Sequence, residues 1–323
     1  MTLAAAIARA ATTLSARGRG GLAEAERLAE AVLRGREYSP ANRAAVGSPE
    51  SGSVSKDWIL KSAPISRAEL LVRGGDALSS EQERGLVRLT AFVAEGTPLQ
   101  HVTGTQFFHE HEYEVGPAAL IPRAETELLI VESIRDLRAG PPPRRGLEIG
   151  LGAGVLSIEL LAAFSGLCMV ATELSADAVA LARQNARRIL GPGPGTSSSP
   201  SGESRLAVFP AGNAREVWEP VLRASRSLFD FVISNPPYLV PGEATEEVAA
   251  HEPASALWAP EGDADYFYRM LATPPAGLLA PRAGIFLELP HERAEAIAAI
   301  FPGARLLPDL TGRSRILLAR SLA

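Results

Sequence analysis

The tetrapeptide Asn235-Pro236-Pro237-Tyr238 directly follows the apolar run FDFVIS at 229–234. Two consecutive prolines have no backbone N–H, so they must end the buried strand that this run predicts. Because proline fixes φ, the Asn235 side-chain oxygen and the Pro236 carbonyl become two hydrogen-bond acceptors in fixed positions. Tyr238 adds a flat apolar wall with a polar tip.

Two fixed acceptors beside a wall suit a planar –NH2 group. The nitrogen of an amide or aromatic amine is a poor nucleophile because its lone pair is delocalised. Acceptors that hold its hydrogens favour a pyramidal nitrogen with an available lone pair, through positioning and electrostatic preorganisation. The segment thus predicts that Asn235, Pro236, Pro237 and Tyr238 bind such a group, and that Asn235, Pro236 and Tyr238 activate it. A proline-rich turn without a chemical role is the alternative.

A second candidate site is the glycine-rich turn of LEIGLGAGVL at 147–156, where Gly150, Gly152 and Gly154 alternate after Glu148. Backbone without Cβ atoms lets a ligand approach the end of a strand closely, and the helix that follows points free N–H groups at it. The third glycine comes one residue too early for the dinucleotide fingerprint. The form E/D-x-G-x-G-x-G is instead typical of S-adenosylmethionine-dependent methyltransferases, in which the acid meets the cationic amino group of the cofactor.

A carboxylate ends the next predicted strand, CMVATE at 168–173. Glu173 lies 19 residues beyond the last glycine of the turn and is the expected partner for ribose hydroxyls. It could instead only cap the next helix, but Ser175 and Asp177 already supply a cap and an acidic first turn. Asn213 follows the third strand, where methyltransferases commonly place a residue that contacts adenine, although a loop Asn is also a common turn residue.

The N-terminal third of the chain predicts helices. Apolar residues fall on one face of a first helix, the segments 21–35 and 79–96 have helical periodicity, and 38–56 has the composition of a loop or insertion. Ser80 with Glu83 matches a capping box at the start of the third of these helices. The expected buried face of the first helix comprises Leu3, Ile7, Ala10 and Leu14.

From residue 144 onward, strands and helices alternate, which predicts a mostly parallel sheet with helices on both faces. The last two strands are too close for a helical crossover and predict an antiparallel hairpin. In such a sheet the fourth strand lies next to the first, so Asn235 is expected beside the glycine turn. The predicted strands are 146–149, 168–173, 205–209, 229–234, 284–289, 305–308 and 314–319. The predicted helices are 153–164, 175–190, 264–272 and 291–301, and 191–204 is expected to be a surface excursion.

Composition limits the class of protein. The chain has 323 residues, 46% of them hydrophobic and 21% charged, as in ordinary globular proteins. A net charge of −5 argues against a protein that chiefly binds nucleic acid, and no apolar run is long enough to span a bilayer. The single cysteine, Cys168, cannot form an internal disulfide, which fits a reducing compartment.

Six segments, taken in order, resemble the HemK/PrmC family of protein glutamine-N5 methyltransferases. They are PLQHVTGTQFFHEHEYEVGPAALIPRAETELLI, LEIGLGAG, ATELSADAVALARQNA, FVISNPPY, HEPASAL and DLTGRSRILLAR, and the likeness covers roughly residues 66–323. IPRAETE resembles the release-factor branch more than the ribosomal-protein branch. The resemblance implies a cytoplasmic, Rossmann-like, S-adenosylmethionine-dependent enzyme that methylates the GGQ glutamine of a peptide chain release factor.

The resemblance also implies an organisation and a set of site residues. We expect a helical docking domain at 1–97, a β-hairpin linker at 98–122 and the methyltransferase domain at 123–323. Arg123, Thr126 and Glu127 of PRAETE would border the cofactor cleft. The expected cofactor-binding residues are Glu148, Gly150, Leu151, Gly152, Ala153, Gly154, Glu173, Asn213, Ala214 and Asn235. Relative to the family, Glu148 and Glu173 replace Asp, and Leu151 and Ala153 replace residues with hydroxyl groups.

Other functions compete with this interpretation. The same tetrapeptide would serve an adenine amine in a nucleic-acid amino-methyltransferase, or a ribosomal-protein glutamine, and the domain could bind S-adenosylmethionine without catalysis. His109, Glu110 and His111 are grouped in FHEHEY, but no metal-binding spacing accompanies them and no metal is expected. We expect a monomer that does not bind nucleic acid directly.

Overall fold

The computed structural model describes residues 1–35, 64–191, 205–210, 217–224 and 227–322. The chain divides into two compact units, Met1–Gln106 with Glu114–Pro117, and Phe107–Tyr113 with Ala118–Ala323. The predicted domain bounds at 97 and 122 stay a prediction. The insertion at 38–56, and all of the excursion at 191–204 except Gly191, lie outside the described residues.

The first unit is helical. Its helices are α1 (Leu3–Ala16), α2 (Leu22–Leu33), α3 (Arg67–Val72), α4 (Ser80–Ala94) and α5 (Leu99–Thr103). The four apolar positions predicted for α1 are all buried, in one cluster with Leu28 and Leu89. The capping box of α4 was placed one residue too late, because SSEQE fits the pattern in two registers. Ser79 caps the helix, and Gln82 completes the box.

The second unit is built on a seven-stranded sheet, and the short strands β1 (Thr105–Phe108) and β2 (His111–Glu114) form a separate pair. The large sheet has the order β5-β4-β3-β6-β7-β9-β8. Its first four neighbouring pairs are parallel and its last two antiparallel. The mostly parallel sheet and the antiparallel hairpin of β8 and β9 are as predicted. The strands are β3 (Arg145–Ile149), β4 (Cys168–Glu173), β5 (Leu206–Pro210), β6 (Phe229–Ser234), β7 (Leu279–Glu288), β8 (Arg305–Pro308) and β9 (Ser314–Arg320).

Strand β7 begins five residues before the prediction at 284. Its early part includes Arg282 with φ 60°, and its pairing with β6 shifts register there, so the strand pattern in the sequence is broken. The helix predicted at 291–301 is shorter, with a 3₁₀ turn at His291–Arg293 before it. The helices of this unit are α6 (Ala124–Arg138), α7 (Val155–Ala163), α8 (Ala176–Leu190), α9 (Trp218–Ala224), α10 (Glu246–His251), α11 (Ala254–Leu257), α12 (Tyr266–Ala272) and α13 (Ala294–Ala298).

Strand order brings the candidate segments together. β3 pairs in parallel with β4 on one side and with β6 on the other, so the loops after these three strands leave the same edge of the sheet. Ser234, at the end of β6, is fully buried, and its Oγ donates to the Ile149 carbonyl at 2.7 Å. This bond holds the start of the Asn235-Pro236-Pro237-Tyr238 segment against the end of β3. No helix among the described residues has the length and apolar character needed to cross a membrane.

Candidate active site

A cavity of about 1060 Å³, including its solvent-open mouth, lies at the carboxyl ends of β3, β4 and β6. That is the edge at which ligands bind in open α/β sheets. The cavity brings the glycine turn, the acid after β4 and the segment after β6 to one place. The predicted site residues that line it are Arg123, Thr126, Glu148, Gly150, Leu151, Gly152, Ala153, Glu173, Asn235, Pro236 and Pro237.

Three predicted residues in the described part of the chain are not among the lining residues. Gly154 caps α7, Glu127 Oε1 accepts from the His109 backbone N–H at 3.1 Å, and Tyr238 packs against the hydrophobic cluster of the sheet. Burial raises the pKa of Tyr238, and the charge of Glu288 raises it further. The remaining two, Asn213 and Ala214, lie outside the described residues.

The glycine turn is shaped to accept a ligand. Gly150 and Gly152 have φ of +79° and +53°, and a Cβ added to either would meet no atom within 4 Å. A Cβ on Gly154, with φ +87°, would instead lie 3.0 Å from Ile158 Cδ1 and 3.1 Å from Ala182 Cβ. The first two glycines therefore leave open space at the cavity, whereas the third allows α7 and α8 to pack closely.

Glu173 holds the turn in place. Its Oε2 accepts from the Gly152 N–H at 2.8 Å, and its Oε1 accepts from the Ser175 N–H at 2.9 Å. The side chain of Ser175 caps α8 by accepting from the Ala178 N–H at 3.2 Å. The predicted cap at Ser175 is confirmed, and Glu173 contributes to the same helix start while lining the cavity.

Glu148 is 1% exposed but also lines the cavity. Its Oε2 accepts from the N–H of Ser157 at 3.0 Å and from the Ser157 hydroxyl. Burial raises the pKa of Glu148 to about 8, and the charge of Glu173 raises it too, whereas the bonds from Ser157 lower it. A neutral Glu148 can donate one hydrogen bond, and a cation placed in the cavity would favour its ionised form.

The segment after β6 leaves two oxygens available. Asn235 Nδ2 donates to Thr126 Oγ1 at 3.2 Å. Within the described part of the chain, neither Asn235 Oδ1 nor the Pro236 carbonyl accepts a hydrogen bond. Further along, Leu239 is fixed by a bond from its N–H to the Leu257 carbonyl at 3.1 Å. Both oxygens are therefore free to accept, and their role as the two acceptors for a substrate amide stays a prediction.

Two buried glutamates that the sequence analysis did not assign support this region. Glu288, the last residue of β7, accepts from the Thr126 hydroxyl at 2.6 Å. Glu252 accepts from Arg123 Nη2 at 2.8 Å and from the Ile121 N–H at 3.0 Å. Burial raises the pKa of both carboxyl groups. The only sequence signals were the position of Glu288 at a strand end and the HEPASAL segment around Glu252.

The histidines of FHEHEY have a structural partner. His109 Nδ1 and His111 Nδ1 each lie 2.9 Å from a carboxylate oxygen of Glu159, and the Tyr113 hydroxyl donates to the same residue at 2.8 Å. The Glu159 side chain is buried in α7. These contacts tie the hairpin residues to α7. No group of three or more potential ligands in the described ranges is arranged to hold a metal ion.

Comparisons with known proteins find relatives over most of the chain. The chain is 31% identical over 285 residues to a release factor glutamine methyltransferase of Deinococcus radiodurans, covering 86% of this chain and 93% of the relative. It is 30% identical over 258 residues to one of Geobacter sulfurreducens, covering 78% and 82%. No protein-family model matches.

Among solved structures, a release factor-specific protein-(glutamine-N5) methyltransferase of Alicyclobacillus acidocaldarius aligns at 26% identity. The alignment covers 65% of this chain and 100% of that one, with a TM-score of 0.37. The fold assignment rests on the strand order of the sheet.

Proposed function

Because this chain belongs to the release factor glutamine methyltransferase family, we propose that it methylates the side-chain amide nitrogen, N5, of the glutamine in the GGQ motif of a peptide chain release factor. The methyl donor is S-adenosylmethionine. The observation that carries the proposal is the shared cavity, in which the open glycine turn and the acceptors of Asn235 and Pro236 line one space. Methyl transfer requires a donor site and an amide site in contact.

The residues at the glycine turn fit the cofactor. Gly150 and Gly152 leave room for the methionine end beside the backbone. Glu148 meets the amino group, and Glu173 binds the ribose hydroxyls, with Asn213 and Ala214 assigned to the adenine end by family resemblance. When bound, S-adenosylmethionine would supply an electrophilic methyl carbon on a sulfonium, with the neutral thioether S-adenosylhomocysteine as the leaving group.

The segment after β6 binds the substrate amide. Asn235 Oδ1 and the Pro236 carbonyl accept hydrogen bonds from the two N–H groups of the glutamine –NH2. These bonds orient the nitrogen lone pair toward the cofactor side of the cavity. Pro237 stiffens the segment, and Tyr238 is proposed as a wall for the glutamine side chain. The nitrogen loses one proton, which passes to water either directly or along the Asn235 and Pro236 side of the site. Arg123 and Thr126 border the cleft, whereas Glu127, which the resemblance also placed there, bonds to the His109 backbone N–H instead.

The partner is a protein. A net charge of −5 gives no general attraction to phosphates, so a nucleic-acid substrate is the less favoured alternative. We propose a monomer that acts in the cytoplasm, without direct binding to nucleic acid. The ribosomal-protein branch is less favoured because both relatives described above are release factor enzymes by name.

Mass spectrometry of a co-incubated release factor tests the function. With S-adenosylmethionine present, we expect a gain of one methyl group on the GGQ glutamine and none on a release factor whose glutamine is replaced by alanine. DNA, RNA and ribosomal protein are assayed in parallel. Methylation of one of these in place of the release factor, or bound cofactor without any transfer, would refute the proposal.

A further inference from the structure

A chain of hydrogen bonds leads from Asn235 into the core. Asn235 Nδ2 donates to Thr126 Oγ1 at 3.2 Å, and the Thr126 hydroxyl donates to Glu288 Oε2 at 2.6 Å. The three residues come from separate elements, since Asn235 follows β6, Thr126 belongs to the first turn of α6 and Glu288 ends β7. Thr126 and Glu288 are 3% and 4% exposed, so the bond between them is shielded from bulk water.

The chain of hydrogen bonds has a direction. A hydroxyl has one proton to donate, and the proton of Thr126 is used on the carboxylate of Glu288. The distance of 2.6 Å is typical of a hydroxyl that donates to a charged oxygen. Thr126 Oγ1 can then only accept from Asn235, which must turn its –NH2 group toward it. The other end of the amide, Oδ1, is left for the cavity.

We propose that Glu288 is a positioning residue for methyl transfer: acting through Thr126, it orients the Asn235 amide so that Oδ1, and not Nδ2, meets the substrate. The inference rests on the proposed function, because it concerns how the amide site is kept an acceptor. An Asn235 in the opposite orientation would present a donor to the donor hydrogens of the glutamine –NH2 group. Hydrogen bonding would then be lost at the point where the substrate nitrogen must be held.

Ionisation of Glu288 controls the direction in which these hydrogen bonds are donated. A protonated Glu288 can donate to Thr126 Oγ1, which frees the threonine proton to bond to Asn235 Oδ1 and removes the preference between the two amide orientations. Burial raises the pKa of Glu288 to about 7, and the charge of Glu125 raises it, whereas Thr126, Arg315 and Arg123 lower it. The remaining groups that face Glu288 are Tyr238, through its charge interaction, and Tyr268, whose hydroxyl donates to the Glu288 carbonyl at 3.0 Å.

The test compares single-turnover methyl transfer to a release factor over the range from about pH 5.5 to about pH 8.5. Glu288→Gln removes the charge at nearly constant volume, and Thr126→Val removes the hydroxyl. The matched controls are Glu295→Gln and Thr273→Val, which make the same chemical changes at exposed positions. Calorimetry with S-adenosylmethionine reports cofactor binding for each variant, and circular dichroism reports folding.

We expect the wild-type rate to rise as the pH passes through about 7, because the ionised Glu288 is the orienting form. Glu288→Gln and Thr126→Val should each lower the rate at pH 8 about tenfold. Cofactor affinity should stay unchanged in Glu288→Gln, whose side chain is not among those that line the cavity, and this variant should also lose the rise with pH. Thr126→Ser, which restores the hydroxyl, should recover most of the loss seen in Thr126→Val.

Wild-type rates and pH profiles in both Glu288→Gln and Thr126→Val would overturn the positioning role while leaving the proposed function intact. A loss of cofactor affinity in Glu288→Gln that parallels its loss of rate would also overturn the positioning role, because it would indicate a general structural effect. If a variant does not fold, the wild-type profile decides, since a rate that stays flat through pH 7 contradicts the inference. Absence of methyl transfer by the wild-type protein would instead refute the proposed function.

Discussion

Asn235 and Glu173 line the same cavity. Glu173 is assigned to the cofactor alone, whereas Asn235, which the resemblance also places among the cofactor-binding residues, is proposed to hold the substrate amide. Asn235 has an oxygen without a hydrogen-bond partner among the described residues, which suits it to hold a substrate amide. Glu173 has a carboxylate that already accepts two backbone N–H groups and retains acceptor capacity for hydroxyl groups. Substitutions at the two positions should therefore affect different steps.

Asn235→Ala should lose methyl-transfer activity but still bind S-adenosylmethionine. Removal of one preorganised acceptor from an active site costs about 10²–10³ in rate, so we expect a loss of that order in methyl transfer. The affinity for S-adenosylmethionine, measured by calorimetry, should change by less than about threefold because the acceptor that is lost is the one proposed to hold the substrate nitrogen. A variant that transfers methyl groups at the wild-type rate would show that this side chain does not hold the amide.

Glu173→Ala should weaken the binding of S-adenosylmethionine. Loss of a charged acceptor for the ribose hydroxyls is expected to lower affinity for S-adenosylmethionine at least about tenfold, and the turn at Gly152 also loses its anchor. Glu295→Ala at an exposed site serves as the control. Equal affinities in the wild type and Glu173→Ala, measured by calorimetry, would contradict the ribose assignment.

At the scale of elements, the three glycines between β3 and α7 have two tasks. Gly152 faces open space, and Gly154 faces Ile158 and Ala182 at close distance. Alanine at either position has to adopt a positive φ, which costs roughly 1 kcal/mol, but only at Gly154 does the added Cβ also crowd the packing of α7 on α8.

Gly154→Ala should therefore lower the free energy of unfolding more than Gly152→Ala does, by a further ~1 kcal/mol or more in urea titrations. Gly152→Ala should have its larger effect on the affinity for S-adenosylmethionine, because its Cβ would project into the cavity. Gly18→Ala, at φ +64° with open space around it, controls for the strain of a positive φ alone. Equal destabilisation by Gly152→Ala and Gly154→Ala would remove the distinction between the two glycines.

The elements themselves were largely predictable from the sequence, for physical reasons. The strands β4, β6 and β8 match their predicted bounds because short apolar runs between turn residues define them locally. The early part of β7 was not predictable, since Arg282 has a left-handed φ that no local pattern indicates.

The buried carboxylates were also missed. Thr126 and Glu288 are 162 residues apart, so their bond depends on the assembled sheet and not on any local motif. The same holds for Glu252 and Arg123, which are 129 residues apart. The sequence indicates the two acceptors that are proposed to hold the substrate amide, but it could not indicate the buried groups to which this region is hydrogen-bonded.

At the scale of the whole molecule, the sheet buries carboxyl groups, and this burial disfavours their ionised form. Burial raises the pKa of Glu148 to about 8 and that of Glu288 to about 7, above their ordinary value of 4.5. The folded state thus holds protons that the unfolded chain releases at lower pH. This contribution to stability is fully present below about pH 4.5 and is lost as the pH rises through about 7 to 8.

Glu288→Gln, which stays neutral, should become more stable relative to the wild type as the pH rises. Thermal unfolding should show nearly equal Tm values for the two proteins near pH 5 and a higher Tm for Glu288→Gln near pH 8. The reason is that only the wild type then buries a charge at position 288. Glu295→Gln should show no such trend. A Tm difference that does not depend on pH would contradict the raised pKa of Glu288.

The most direct measurement of the central claim is a crystal structure of the protein with S-adenosylhomocysteine and a peptide that contains the GGQ motif. We predict that the glutamine amide nitrogen lies within about 3 Å of both Asn235 Oδ1 and the Pro236 carbonyl, and faces the sulfur of a cofactor bound along Gly150 and Gly152. A glutamine bound away from Asn235, or a cofactor outside the glycine turn, would contradict the claim.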